Sequence, residues 1–191
     1  MKNNLRLLTL ISMMIALSYL LMFMEFPIPA LFPPYLKIDP SDIPALFVGL
    51  FIGPIPAVII EFMKNVLHGL FSPKDPNFSG EIANFFFGIG FILPVSLFAW
   101  MLRHKFKTWT NTKFMIRFLP AFAVGTIVAT FVMALVNYYF AFPLYGMNGH
   151  AVKIAGIISV TPFNLFKGTL ITIAAYALYS PLKKLFIRYF K

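Results

Sequence analysis

Cysteine is absent from this chain, which excludes disulfides and thiolate metal sites. Charge is scarce: Asp, Glu, Lys and Arg make up 12% of the residues, and only six residues are acidic. His68, His104 and His150 lie far apart in sequence. Each reads as a single surface or interface histidine, and no His/Asp/Glu set has metal-ligand spacing. There is no Gly-x-x-x-x-Gly-Lys-Ser/Thr loop, so the chain does not hold ATP in that way. No Ser/His/Asp set reads as catalytic machinery, and the chain is not expected to be an enzyme. No apolar segment carries a row of arginines, no two halves mirror each other as in many secondary transporters, and no internal repeat or low-complexity tract stands out.

What fills the chain is hydrocarbon. Of its 191 residues, 60% are hydrophobic and 24 are phenylalanine, with a mean hydropathy of +0.83. Soluble domains of this length rarely have such a composition. The chain reads as an all-α integral membrane protein, a single transmembrane domain over residues 1–191. A net charge of +10 is of the sign that nucleic acid attracts, but its distribution argues against that partner. Eleven of the sixteen basic residues fall in three clusters: Lys2 and Arg6; Arg103, Lys105, Lys107, Lys113 and Arg117; Lys183, Lys184, Arg188 and Lys191. They flank apolar segments, as cytoplasmic ends do, and attraction to anionic lipid accounts for them. Trp100 and Trp109 suit the cytoplasmic interface belt.

Four spans stand out: Leu5–Met24, Gly80–Leu102, Phe114–Phe140 and Ala155–Leu178. The run Leu7–Met24 has no cleavage site after it and reads as a retained helix. The stretch Ile43–Leu70 contains Gly53-Pro54-Ile55-Pro56, where two prolines predict a break. With the break there are six spans, all three basic clusters share the cytoplasmic side, both termini are cytoplasmic, and five of the six acids lie outside. Ile43–Ile52, at about 15 Å of helix, is short for a bilayer and sits under an outer loop, Glu25–Pro40. Five prolines keep that loop from being helical through its length, and its apolar residues let it cover the bundle. Within Asp39-Pro40-Ser41-Asp42, Ser41 or Asp42 is expected to cap the next helix.

Two polar pairs lie at membrane depth, where such groups usually face a cavity or a partner. Glu81 and Asn84 are three apart, as are Asn164 and Lys167, so each pair shares a helix face. Together they suit a flat ligand rich in hydrogen-bonding groups. Competing readings exist. Glu81 lies in a first turn, where acids favour the helix dipole. Lys167 has the reach to snorkel or to pair with Glu81. Asn137 fits an interface as well as a ligand. Glu61 and Lys64 read as an internal ion pair.

The ordered set Asp39-Pro40-Ser41-Asp42-Ile43-Pro44-Ala45-Leu46, Gly53-Pro54, Glu61-x-x-Lys64-Asn65-x-x-His68, Gly80-Glu81-x-x-Asn84-Phe85, Asn137-Tyr138-Tyr139 with Pro143-Leu144-Tyr145, and Pro162-Phe163-Asn164-x-x-Lys167-Gly168 resembles the riboflavin-specific substrate-binding (S) component of energy-coupling factor (ECF) transporters. The resemblance spans nearly the whole chain. It implies a six-helix, multi-pass protein of a prokaryotic cell membrane that binds riboflavin at its outer face. It also implies a transmembrane coupling protein and two cytoplasmic ATPases as partners, with riboflavin as cargo and no cofactor. The binding residues so implied are Glu81, Asn84, Asn137, Leu144, Tyr145, Asn164 and Lys167. In such components a small-x-x-x-small pattern in the first helix packs on the coupling protein. Here Ser12-x-x-x-Ala16 fits it, with a serine where alanine is usual. Asparagines donate and accept, Lys donates and Glu accepts, which suits the polar rim and ribityl chain of riboflavin. A stand-alone facilitator or channel for a small solute, and an S component for another vitamin, are the alternatives.

Overall fold

The computed structural model describes residues 2–73, 77–102 and 105–189, the side chains at 2–4, 106–107 and 187–189 aside. Lys2, Arg103, His104, Lys107, Arg188 and Lys191, named above, and Asp75, one of the five acids expected outside, lie outside the described side chains.

Apolar runs form the helices, three of which pass through internal prolines, Pro94, Pro120, Pro162 and Pro181. The helices are α1 (Lys2–Met22), α2 (Asp42–Phe51), α3 (Pro54–Phe71), α4 (Ser79–Met101), α5 (Asn111–Val136) and α6 (His150–Tyr189). α5 runs on through a π-helical turn, Asn137–Ala141, and a last turn, Phe142–Leu144. Among the described residues, four helical paths are long and apolar enough to cross a membrane: Leu5–Met22, Ser79–Met101, Asn111–Leu144 and His150–Phe186. The stretch expected to break does so at Gly53, whose φ of +150° is open to glycine and strained for other residues. Pro54 and Pro56 then fall in the first turn of α3, where a missing N–H costs nothing.

α2 is the centre of the bundle. Nine of its ten residues are buried, as expected for a helix apolar on every side, and it packs against α1, α3, α4 and α6. Its last residue, Phe51, enters an aromatic stack with Phe186 (centroids 4.9 Å apart) and Tyr179 (6.3 Å), and Tyr179 lies flat on Phe114 at 3.9 Å. Trp109 is 9% exposed. It turns inward against Phe118 beneath Arg117, whose guanidinium lies 4.9 Å from the ring. Trp100 is exposed.

At the other end of α2 the expected cap is not made: neither Ser41 nor Asp42 accepts from the next turn's amides. Asp39 instead accepts from the Ser41 amide at 3.0 Å and from the Ser41 hydroxyl, while Asp42 turns to lysines. Buried ammonium groups outbid a backbone N–H for a carboxylate. The loop before α2 is pinned as a hairpin, β1 (Phe26–Pro27) antiparallel to β2 (Lys37–Ile38), and Lys37 Nζ meets Glu25 Oε1 at 2.6 Å at its base. Phe32 rests on Phe163 and Phe166 of α6, centroids 5.4 Å away in each case. The loop thus lies across the end of the bundle.

Candidate functional site

Beneath that loop is a cavity of about 540 Å³, within the ~300–1,000 Å³ typical of small-molecule sites. Two helices face it with one pattern. α4 gives Gly80, Ala83, Asn84 and Phe87; α6 gives Val160, Phe163, Asn164 and Lys167. Positions 0, 3, 4 and 7 form a single stripe on a helix, which is why residues three apart point into one space. α5 adds Met133, Asn137, Ala141 and Phe142. Asn137 is presented by the π turn, in which the Phe142 amide donates five residues back to the Asn137 carbonyl. Pro143 follows directly, lacking a donor and needing room for its ring, and π turns of this sort recur at functional sites. The loop closes the cavity with Tyr35, Leu36 and Asp39, and the segment after α5 adds Tyr145 and Met147. Ser79 Oγ and Tyr145 Oη, 2.5 Å apart, join the two walls.

Asn84, Asn137, Asn164 and Lys167 therefore meet in one cavity, each no more than 7% exposed, and Tyr145 joins them. Two residues expected with them do not line it. Glu81 points toward α3, where His68 Nδ1 lies 2.9 Å from its Oε1. Of the two expectations for His68, surface or interface, it is the second that holds: the ring is buried among Glu81 of α4, Tyr19 of α1 and Phe23 just after α1. Leu144 lies past the π turn, 41% exposed and turned outward. Lys167 pairs with aspartates, not with Glu81: its Nζ lies 3.1 Å from Asp42 Oδ2 and 3.9 Å from Asp39 Oδ2. It also reaches Asn84 Oδ1 at 3.5 Å and stands 4.5 Å over the Phe87 ring. Asn84 Nδ2 donates to Asp39 Oδ2 at 3.3 Å.

Behind this floor the expected Glu61–Lys64 pair is present at 2.9 Å, but it is part of something larger. Lys64 Nζ also lies 2.5 Å from Asp42 Oδ1 and donates to Ser41 Oγ at 2.9 Å. Asp39, Asp42, Glu61, Lys64 and Lys167 form one buried network across α2, α3 and α6. Asp39 and Asp42 escape sequence reasoning because a Pro-Ser-Asp run signals a cap. The available signal was charge: three acids and two lysines near apolar segments must be paired when buried.

The chain's likeness to known proteins runs along nearly its whole length. A family model described as "ECF transporter, substrate-specific component" matches residues 6–179. The chain is 38% identical to the riboflavin transporter RibU of Staphylococcus aureus over 185 residues, covering 94% of this chain and 90% of that protein. It is 32% identical to the riboflavin transporter FmnP of Bacillus subtilis over 184 residues, 92% of this chain and 91% of that one. A solved S component of a bacterial ECF transporter superposes with a TM-score of 0.75 at 36% identity, covering 96% of this chain and 98% of the other. Sequence and backbone together leave one placement: the chain belongs to the substrate-specific components of ECF transporters.

Proposed function

We infer that the chain captures riboflavin in this cavity and delivers it as the S component of an ECF uptake transporter. The observation that carries the reading is the convergence of Asn84, Asn137, Asn164 and Lys167 from three helices on one cavity walled by Tyr35, Phe87, Phe142 and Phe163. Aromatic and aliphatic walls take a flat apolar ring system, and a few placed amides and an ammonium satisfy its polar rim and hydroxylated chain. The names of the relatives support riboflavin over other vitamins. A purified chain that is yellow, and that quenches riboflavin fluorescence to saturation in a titration, is the expected result. Saturation by a different vitamin, with no flavin response, overturns it.

In the bilayer, six crossings put Lys105, Lys113, Arg117, Lys183 and Lys184 on the cytoplasmic side with both termini, and put the cavity on the outer side. Single cysteines at Asn148 and Thr110, both exposed, should label from opposite sides of the membrane with an impermeant reagent. Labelling from the same side removes one crossing and this topology with it.

The partners in this reading are a transmembrane coupling protein and two cytoplasmic ATPases. Ser12 and Ala16 are exposed on α1, and small residues four apart let a partner helix approach closely. Ala16→Trp should leave riboflavin binding by the isolated chain intact while uptake by the assembled transporter falls severalfold. Unchanged uptake means that docking uses another face.

A further inference from the structure

The charge of the cavity is balanced, and the balance is set from behind its wall. The charged residues among the described lining are Glu25, Lys37, Asp39 and Lys167. Lys37 is held by Glu25 at 2.6 Å. Lys167 is held mainly by Asp42, at 3.1 Å, with Asp39 at 3.9 Å. Asp42 is not part of the wall. It is fully buried, and its two oxygens serve different lysines: Oδ1 meets Lys64 on α3 and Oδ2 faces Lys167 on α6. Lys64 is itself fixed by Glu61 and Ser41. The carboxylate is thus anchored on one side and free to orient an ammonium on the other. A lysine has four rotatable carbons and loses much rotamer freedom when ordered, so a fixed counter-ion decides where its charge sits.

We propose that Asp42 is a positioning residue that aims Lys167 into the cavity and, by offsetting its charge, makes the cavity select an uncharged flavin over an anionic one. This rests on the reading of the cavity as a flavin site. A phosphate monoester brings about −1.5 to −2 charge near pH 7. Buried charge of that size requires a cation not already engaged, and both cavity lysines face carboxylates. A neutral flavin asks only for hydrogen bonds. An ammonium has three N–H donors; Asp42 takes the closest at 3.1 Å, and the longer approaches to Asn84 Oδ1 at 3.5 Å and Asp39 at 3.9 Å are the ones a ligand acceptor would replace.

The test titrates riboflavin and riboflavin 5′-phosphate against the full chain in detergent and reads the ratio of the two dissociation constants. Asp42→Asn keeps the shape and removes the charge. It should weaken riboflavin binding and shift the ratio toward the phosphate by about tenfold or more, the scale of a buried charge pair. Asp42→Glu retains a carboxylate and should stay near the wild-type ratio. In a Lys167→Met background, adding Asp42→Asn should not move the ratio, because the effect runs through that ammonium. Should Asp42→Asn not fold, the double variant Asp42→Asn with Lys64→Met, which also removes the facing cation, is read in the same way. A folded variant with an unmoved ratio overturns the proposal, and so does an equal shift without Lys167. If the wild-type chain binds riboflavin, either result sinks the positioning role alone. If it binds neither flavin, the cavity reading falls and takes this one with it.

Discussion

Lys167→Ala and Asn164→Ala should each weaken riboflavin binding by roughly five- to 150-fold. Truncating one member of a buried hydrogen bond leaves the other unpaired, at a cost of about 1–3 kcal/mol and more when a charge is involved, and about 1.4 kcal/mol is a factor of ten in affinity. Both side chains line the cavity and are only 4% exposed, so water cannot readily take their place. Lys167 should show the larger effect. Its removal takes a donor from the ligand and also a cation from Asp42 and Asp39. His150→Ala is the control: the imidazole is exposed, pairs with Tyr138 Oη at 2.7 Å and does not line the cavity, so the titration should be unchanged. Folded Asn164 and Lys167 variants that titrate like the wild type would show that these groups are structural and that the site lies elsewhere.

The same residues show what a sequence can carry. Helical spacing is local, so the pairing of Asn164 with Lys167 on one face, and of Asn84 with its own turn, is legible from residue numbers. The break near Gly53 is legible too, because proline and glycine act on their own backbone. What is not legible is which distant charge answers which. Asp42 and Lys167 lie 125 positions apart (167 − 42) and meet at 3.1 Å only because α2 threads the centre of the bundle. Glu81 is drawn off the cavity for the same reason: His68 of α3 stands 2.9 Å away, and a short helix register between two partners decides which one a carboxylate reaches. Asn137 is an intermediate case. Its residue type marks it as a candidate, but its aim depends on a π turn that no hydrophobic period encodes.

Lys64→Met should cost more stability than any single change in the cavity wall. Lys64 is fully buried and lies 2.5 Å from Asp42 Oδ1 and 2.9 Å from Glu61 Oε2. Glu61 Oε1 is already buried with no hydrogen-bond partner among the described residues. The carboxylate is pressed so close to α4 that a Cβ on Gly88 would lie 2.3 Å from its Oε2, so it has no room to turn toward another donor. Removing the ammonium leaves two carboxylates in a closed interior with Lys167 as their remaining described cation. Breaking a buried pair in this way typically costs about 3–5 kcal/mol, and the melting temperature in detergent should fall by on the order of 10 °C. Methionine fills much of the same volume, so the loss reports charge and not a cavity. Adding Glu61→Gln to Lys64→Met removes one of the stranded carboxylates and should recover part of the fall, whereas Glu61→Gln alone should recover nothing, since it takes a partner from Lys64. If Lys64→Met melts with the wild type, the network is not holding α2 against α3, and the break at Gly53 is secured by apolar packing alone.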